Sequence, residues 1–151
     1  MPIFIAHRGN YAGPEPDAEN TKDYLREAYS MGFGVECDLQ IYNGALYLGH
    51  DEPQQPADYE FLAQPYVFCH AKTIETMELL LSSGLHCFWH ETDKLTLTSQ
   101  GFMWCYPGVF PLHKQAIWLN LMDTPTPPVS DEIFGVCADK YTDIKWDIKN
   151  D

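Results

Sequence analysis

Residues 35–41, Val-Glu-Cys-Asp-Leu-Gln-Ile, alternate strictly between apolar and polar side chains. A period of two belongs to a β-strand. Glu36, Asp38 and Gln40 therefore share one face, and Val35, Cys37, Leu39 and Ile41 the other. If the apolar face packs on helices, both carboxylates point to the opposite side of the sheet. Two carboxylates at i and i+2 inside a core repel each other unless a cation sits between them. A hard divalent ion with oxygen ligands is the economical solution. This segment asks for a sheet with helices on one side and a charged, ion-holding surface on the other.

The flanking chain fits such a sheet. Residues 3–6 form an apolar run that stops at His7-Arg8-Gly9, and residues 10–16 carry the Gly and Pro of a loop. A helix is expected over 21–31, with Tyr24, Leu25, Ala28 and Met31 as its apolar stripe, Thr21 as N-cap, and Gly32 and Gly34 ending it. Asn43-Gly44 between two apolar runs predicts a hairpin whose return strand, 45–48, ends at Gly49-His50-Asp51. A polar loop over 52–58 follows, then a strand over 66–71 and a helix over 74–83. The remaining expectations are a strand over 87–90, a second hairpin from 95–97 and 102–105, a strand over 117–122, a proline-containing loop over 123–130, and a last strand over 136–139 before an acidic tail.

Alternating strands and helices predict one α/β domain over 1–151, with a largely parallel sheet. Such folds gather ligands at the C-terminal ends of their strands. His7, Glu36 with Asp38, His70 with Lys72, and His90 all fall at or near strand ends. Alternation groups Phe68, His70 and Lys72 on one face and turns Cys37 and Cys69 outward, as small packing hydrophobes. His90 and Glu91 belong to no motif and read as structural, His86 and His113 carry no functional argument, and Trp89, Trp104, Trp118 and Tyr106 read as core or rim.

Charge narrows the ligand. Against 22 acidic residues stand 9 basic ones, a net charge of −13. A surface this negative repels nucleic acid and anionic headgroups. An anionic ligand needs a locally positive site. Five cysteines with no CxxC pair argue against a disulfide framework or a zinc ribbon. No signal-like or bilayer-length apolar run occurs, so the expected compartment is the cytoplasm, without stable membrane insertion. The oligomeric state is left open.

Four short runs, Ile5-Ala6-His7-Arg8-Gly9, Glu19-Asn20-Thr21, Val35-Glu36-Cys37-Asp38-Leu39 and Gly49-His50-Asp51, occur in this order. Together they resemble the signature of the glycerophosphodiester phosphodiesterases: HRG, P-E-N-T, E-x-D and H-D. Gly135-Val136-Cys137-Ala138-Asp139 resembles that family's closing strand less specifically. The resemblance implies a TIM-type (β/α) barrel, here shortened and carrying two added β-hairpins. It implies hydrolysis of a small phosphodiester with a divalent ion (Mg²⁺, Ca²⁺ or Mn²⁺). His7 and His50 would be the general acid/base pair, and Arg8 would hold the phosphate, with Lys72 beside it. Glu36, Asp38 and Glu19 would serve the metal. Two departures stand out. Residues 17–21 lack the proline of P-E-N-T, and the family's E-x-K strand aligns with His70-Ala71-Lys72. His70 in place of that Glu would turn the site from Ca²⁺ towards Mn²⁺, Zn²⁺ or Fe²⁺. Two alternatives stay open: a degenerate barrel that binds phosphate or metal without turnover, and a phosphodiesterase or lyase acting on another small or lipid phosphodiester.

Overall fold

Strand β1 (Ile3–His7) starts a ten-stranded, mostly parallel sheet with few helices. The computed structural model describes residues 2–107, 109, 113–121 and 133–141. The end of the expected strand at Met122, the loop over 123–130 and the acidic tail lie outside these. Parallel to β1 run β2 (Gly34–Tyr42) on one side and β10 (Gly135–Ala138) on the other. The parallel order continues from β2 to β5 (Val67–Ala71) and β6 (Cys87–Phe88), and from β10 through β9 (Ala116–Asn120) to β8 (Met103–Cys105). Antiparallel β7 (Leu95–Leu97) lies on the far side of β8. Residues just past β7 reach β6, the other end of the row: Ser99 N–H donates to the Cys87 carbonyl at 2.8 Å. The chain just beyond one end of the row thus lies against the strand at the other end.

The expected hairpin is present. Asn43 and Gly44 both take positive φ, as a two-residue hairpin turn requires. The return strand β3 (Ala45–Leu48) pairs with the end of β2 from Leu39 to Tyr42. The polar loop after it contains β4 (Gln55–Pro56), which pairs with β3, and is followed by the one-turn helix α2 (Tyr59–Leu62), capped by Asp58; neither element has a sequence period. Helices α1 (Lys22–Ser30) and α3 (Ile74–Ser82) fall close to expectation. Thr21 occupies the N-cap position of α1, but its hydroxyl donates back to the Ala18 carbonyl and caps no helical N–H. Thr73 does cap α3, accepting from Thr76 N–H. The strand expected over 87–90 ends at Phe88.

Two apolar layers follow from the alternation. The outer layer sits under the helices and holds Leu25, Ala28, Val35, Cys37, Leu39, Val67, Cys69, Leu80 and Cys87. Cys37, Cys69 and Cys87 are register neighbours across β2, β5 and β6, beneath α3. The inner layer joins side chains from β1, β5, β6, β8, β9 and β10: Ile5, Phe68, Phe88, Trp104, Ile117, Leu119 and Cys137. Cys37 and Cys69 thus pack outward as expected, and the inner surface below the carboxylates is closed by aromatic rings. No helix among the described residues is long and apolar enough to cross a membrane.

Candidate active site

Register brings the strand-end residues together. His7, the last residue of β1, is the Cα partner of Glu36, and Asp38 is the partner of His70 on β5. Beyond Glu36, the edge of β2 that β1 leaves is taken over by β3, starting at Leu39–Leu48. The return strand therefore delivers Gly49 beside Asp38, with Gly49 N–H donating to the Asp38 carbonyl at 3.0 Å. Gly49 has φ +146°, and a Cβ there would come within 1.9 Å of the Glu52 carbonyl oxygen, so only glycine makes this turn. His50 follows directly. His7, Arg8, Glu36, Asp38, His50, His70 and Lys72 all line one cavity of about 430 Å³ at this end of the sheet.

The two carboxylates are fully buried, but they are not without cationic neighbours. Asp38 accepts from Asn20 Nδ2 at 3.0 Å, and its own N–H donates to Asn20 Oδ1 at 2.9 Å. His70 Nδ1 lies 3.1 Å from Asp38 Oδ1, and Lys72 Nζ 3.8 Å. Arg8 Nε approaches Asp38 Oδ2 to 3.2 Å without hydrogen-bond alignment, so this contact is a charge pair. Glu36 is served less directly: it accepts from the Arg8 backbone N–H at 3.1 Å, while His7 Nε2 and His70 Nδ1 stand 3.8 Å away. The expectation that the carboxylate pair relies on an added ion is modified accordingly, because the chain supplies Arg8, His70 and Lys72 around Asp38.

These surroundings split the pair. Burial, then the charge of Asp38, pushes the Glu36 carboxyl above its ordinary range, against the pull of His7, His70 and Arg8. Burial acts on Asp38 too, but the His70 hydrogen bond, the charges of His70 and Arg8, and the Asn20 amide hold it well below the usual carboxylate range. Arg8 adopts φ +56° and Asn20 φ +57°, uncommon for residues with side chains. Backbone strain of this kind collects where geometry is imposed by function. At Arg8 it is the conformation that aims the backbone N–H at Glu36.

The two histidines are held alike. His7 Nδ1 lies 2.8 Å from Asp139 Oδ1, and His50 Nδ1 lies 2.8 Å from Asp51 Oδ1. In each ring an aspartate engages Nδ1 and leaves Nε2 for other work. Burial tends to lower the His7 pKa, yet the Asp139 hydrogen bond and the charges of Glu36 and Asp139 outweigh it and raise the pKa above its usual value. Asp139 is itself fixed by Asn10 Nδ2 at 2.9 Å.

Three donor atoms, from Glu36, Asp38 and His70, lie within 4.8 Å of one another. Ligands at ~2.0–2.4 Å from a shared ion stand no further apart than this. The buried Nε2 of His70 also lacks a hydrogen-bond partner among the described residues. The donor set fits a divalent ion. Glu19 stands outside this group, accepting instead from Arg8 Nη1 at 3.3 Å and Asn10 Nδ2 at 2.9 Å. The reason is local, since Arg8 and Asn10 reach it first from the loop after β1. Its place in the arrangement is to hold the Arg8 guanidinium.

Sequence reasoning passed over several residues. Asp139 was visible only as the end of a weakly matching strand, although alternation from Cys137 puts it on the inner face. Asn10 has no motif signal. His90 also lines the cavity. It stacks on His70 at 4.6 Å between ring centroids and meets the Tyr106 hydroxyl through Nδ1 at 2.9 Å. Burial and the charges of His70 and Lys72 lower its pKa to about 4. Comparison with family models, with curated proteins and with solved structures finds no match to this chain.

Proposed function

We propose that this chain is a metal-dependent phosphodiesterase of the glycerophosphodiesterase type, built on a shortened TIM-type barrel. The observation that carries the reading is the convergence of His7, Arg8, Glu36, Asp38, His50 and Lys72, from four separate chain segments, on one cavity at the strand ends. The barrel reading draws on the Ser99–Cys87 contact between the two ends of the sheet and on the shared inner layer of six strands. In this reading antiparallel β7 stands where a parallel strand would close the ring.

Phosphodiester hydrolysis needs charge compensation on the phosphoryl oxygens, a base for the attacking nucleophile and an acid for the leaving alkoxide. Arg8 and Lys72 supply positive charge at the cavity wall. An ion held by Glu36, Asp38 and His70 would add a fixed positive charge against the phosphate. Asp139 and Asp51 orient His7 and His50, so that each ring can accept or donate a proton at Nε2. Glu19 and Asn10 keep Arg8 and Asp139 in place.

The test is hydrolysis of bis(p-nitrophenyl) phosphate with and without Mn²⁺, using His7→Ala and His50→Ala as controls. Metal-stimulated turnover that both variants lose supports the reading. A second reading, a barrel that binds phosphate or metal without turnover, is favoured by one observation: Arg8 is engaged with Asp38 and Glu19. Metal and phosphate binding in calorimetry with no hydrolysis under the same conditions would select it.

A further inference from the structure

The cavity that holds the charged cluster is also lined by Trp89, His90, Glu91, Trp104 and Tyr106, none of which the phosphodiesterase reading uses. Among them His90 is held in one protonation form by its neighbours. The Tyr106 hydroxyl carries a single proton. It lies 3.1 Å from the Glu91 carbonyl, which can only accept, and 2.9 Å from His90 Nδ1. Both contacts are made at once only if the hydroxyl donates to the carbonyl and the phenol oxygen accepts from Nδ1–H. A neutral imidazole has one N–H, so Nε2 is left with a lone pair. This nitrogen has no hydrogen-bond partner among the described residues.

Two uses of that lone pair are disfavoured by geometry. The first is ligation of the ion assigned to His70. The two rings are stacked at 4.6 Å between centroids and 12° between planes, and an ion in the plane of one lies well out of the plane of the other. The second is a third acid/base role. His7 and His50 each meet an aspartate through Nδ1, which favours a ring that gains a proton. His90 meets a neutral phenol, which gives a charged ring no such support. What remains is a fixed hydrogen-bond acceptor.

We infer that His90 is a specificity-determining residue, and that its Nε2 accepts a hydrogen bond from the alcohol group of the substrate. The inference rests on the phosphodiesterase reading for the position of the phosphate. The oxygens of an ionised phosphodiester accept and do not donate, so they have nothing to offer this lone pair. The donor must sit on the ester group. The substrate class is therefore a phosphodiester whose alcohol carries its own hydroxyl or ammonium. An alcohol without one would strip water from Nε2 and return no partner, at a cost of about 1–3 kcal/mol.

The experiment is calorimetric titration of the whole chain, in Mn²⁺, with inorganic phosphate, glycerol 3-phosphate, phosphoethanolamine and propyl phosphate. Glycerol 3-phosphate or phosphoethanolamine is expected to bind about tenfold more tightly than propyl phosphate, which is 1.4 kcal/mol. The tighter of the two names the donor as hydroxyl or ammonium. His90→Phe keeps a ring to stack on His70 and removes Nε2, so it should bring that ratio to about one. A merely structural role would weaken all the esters together and leave the ratio unchanged, and that result overturns the inference. Tyr106→Phe, which removes the acceptor that fixes the Nδ1–H form, should lower the ratio with the His90 ring still in place. Equal affinity of the wild type for all three esters overturns the role of His90 and leaves the phosphate site standing. Failure of all four ligands to bind overturns the phosphodiesterase reading itself, and this inference with it.

Discussion

His7 and Asp139 stand 132 residues apart in the chain and 2.8 Å apart in space, Nδ1 to Oδ1. The parallel pairing of β1 with β10 makes the contact, since Ala6 is the register partner of Ala138, and His7 and Asp139 are the next residues of their chains. The carboxylate raises the His7 pKa and leaves Nε2 towards Glu36. Asp139→Asn should lower turnover by about 10–100-fold, the usual effect of losing an orienting partner. It should also move the His7 limb of the pH–rate profile to lower pH, because the negative charge that helps raise the pKa is gone while burial remains. A profile unchanged in position would show that Asp139 is only structural.

The paired histidines give a second expectation. His7→Ala and His50→Ala should each cut kcat by about two to four orders of magnitude, the contribution of a positioned acid or base. The double variant should be little worse than either single one, because the two groups act as a unit. Steady-state kinetics on bis(p-nitrophenyl) phosphate reads both, and normal turnover in either single variant removes that residue from the pair.

The proposed ion site implies a change of metal preference on substitution. Replacing Glu36 and Asp38 together by Ala should abolish Mn²⁺ binding in calorimetry. His70→Glu should keep binding but favour Ca²⁺ and Mg²⁺ over Mn²⁺ relative to the wild type, because a carboxylate replaces the only imidazole donor. Metal removal should lower the melting temperature of the wild type more than that of the carboxylate variant.

His86 predicts how stability depends on pH. Its ring is buried against Phe68, bonded through Nε2 to the Thr98 hydroxyl at 2.7 Å, and burial lowers its pKa from 6.5 to about 4. The unfolded chain takes up this proton below pH 6.5, and the folded one only near pH 4. Stability from this group is therefore complete above 6.5, declines as pH falls, and stops declining near 4. Denaturant midpoints measured between pH 7 and 4.5 should fall, and His86→Gln should flatten the slope.

Much of the site was legible because it lies on strands that announce themselves. Alternation through residues 35–41 assigned Glu36 and Asp38 to the inner face, and Asn43-Gly44 fixed the turn that carries His50 back to them. The HRG run placed His7 at the end of β1. What stayed hidden depends on pairings that no local pattern encodes. The docking of β10 against β1 brings Asp139 to His7, and nothing within either strand specifies it. Glu19 was assigned to the metal by the resemblance of its motif, yet Arg8 and Asn10 engage its carboxylate. Strand β4 and helix α2 are too short to show a period. His90 and Tyr106 gain their position only when β6 and β8 come close enough for Phe88 and Trp104 to stack.

All five thiols are buried, and they are distributed unequally between the two apolar layers. Cys37, Cys69 and Cys87 form a row beneath α3, while Cys137 faces the inner layer. Burial is also the leading cause that pushes the Cys87 and Cys137 thiols above their usual range, so a maleimide meets little reactive thiolate while the fold is closed. The cysteines are thus built-in reporters of opening. Undocking of α3 alone would release three labelling sites together and leave Cys137 silent, whereas separation of the sheet's ends would free Cys137 as well. Mass spectrometry of pulse-labelled protein can therefore distinguish loosening of the helical coat from breathing of the chamber that holds the site.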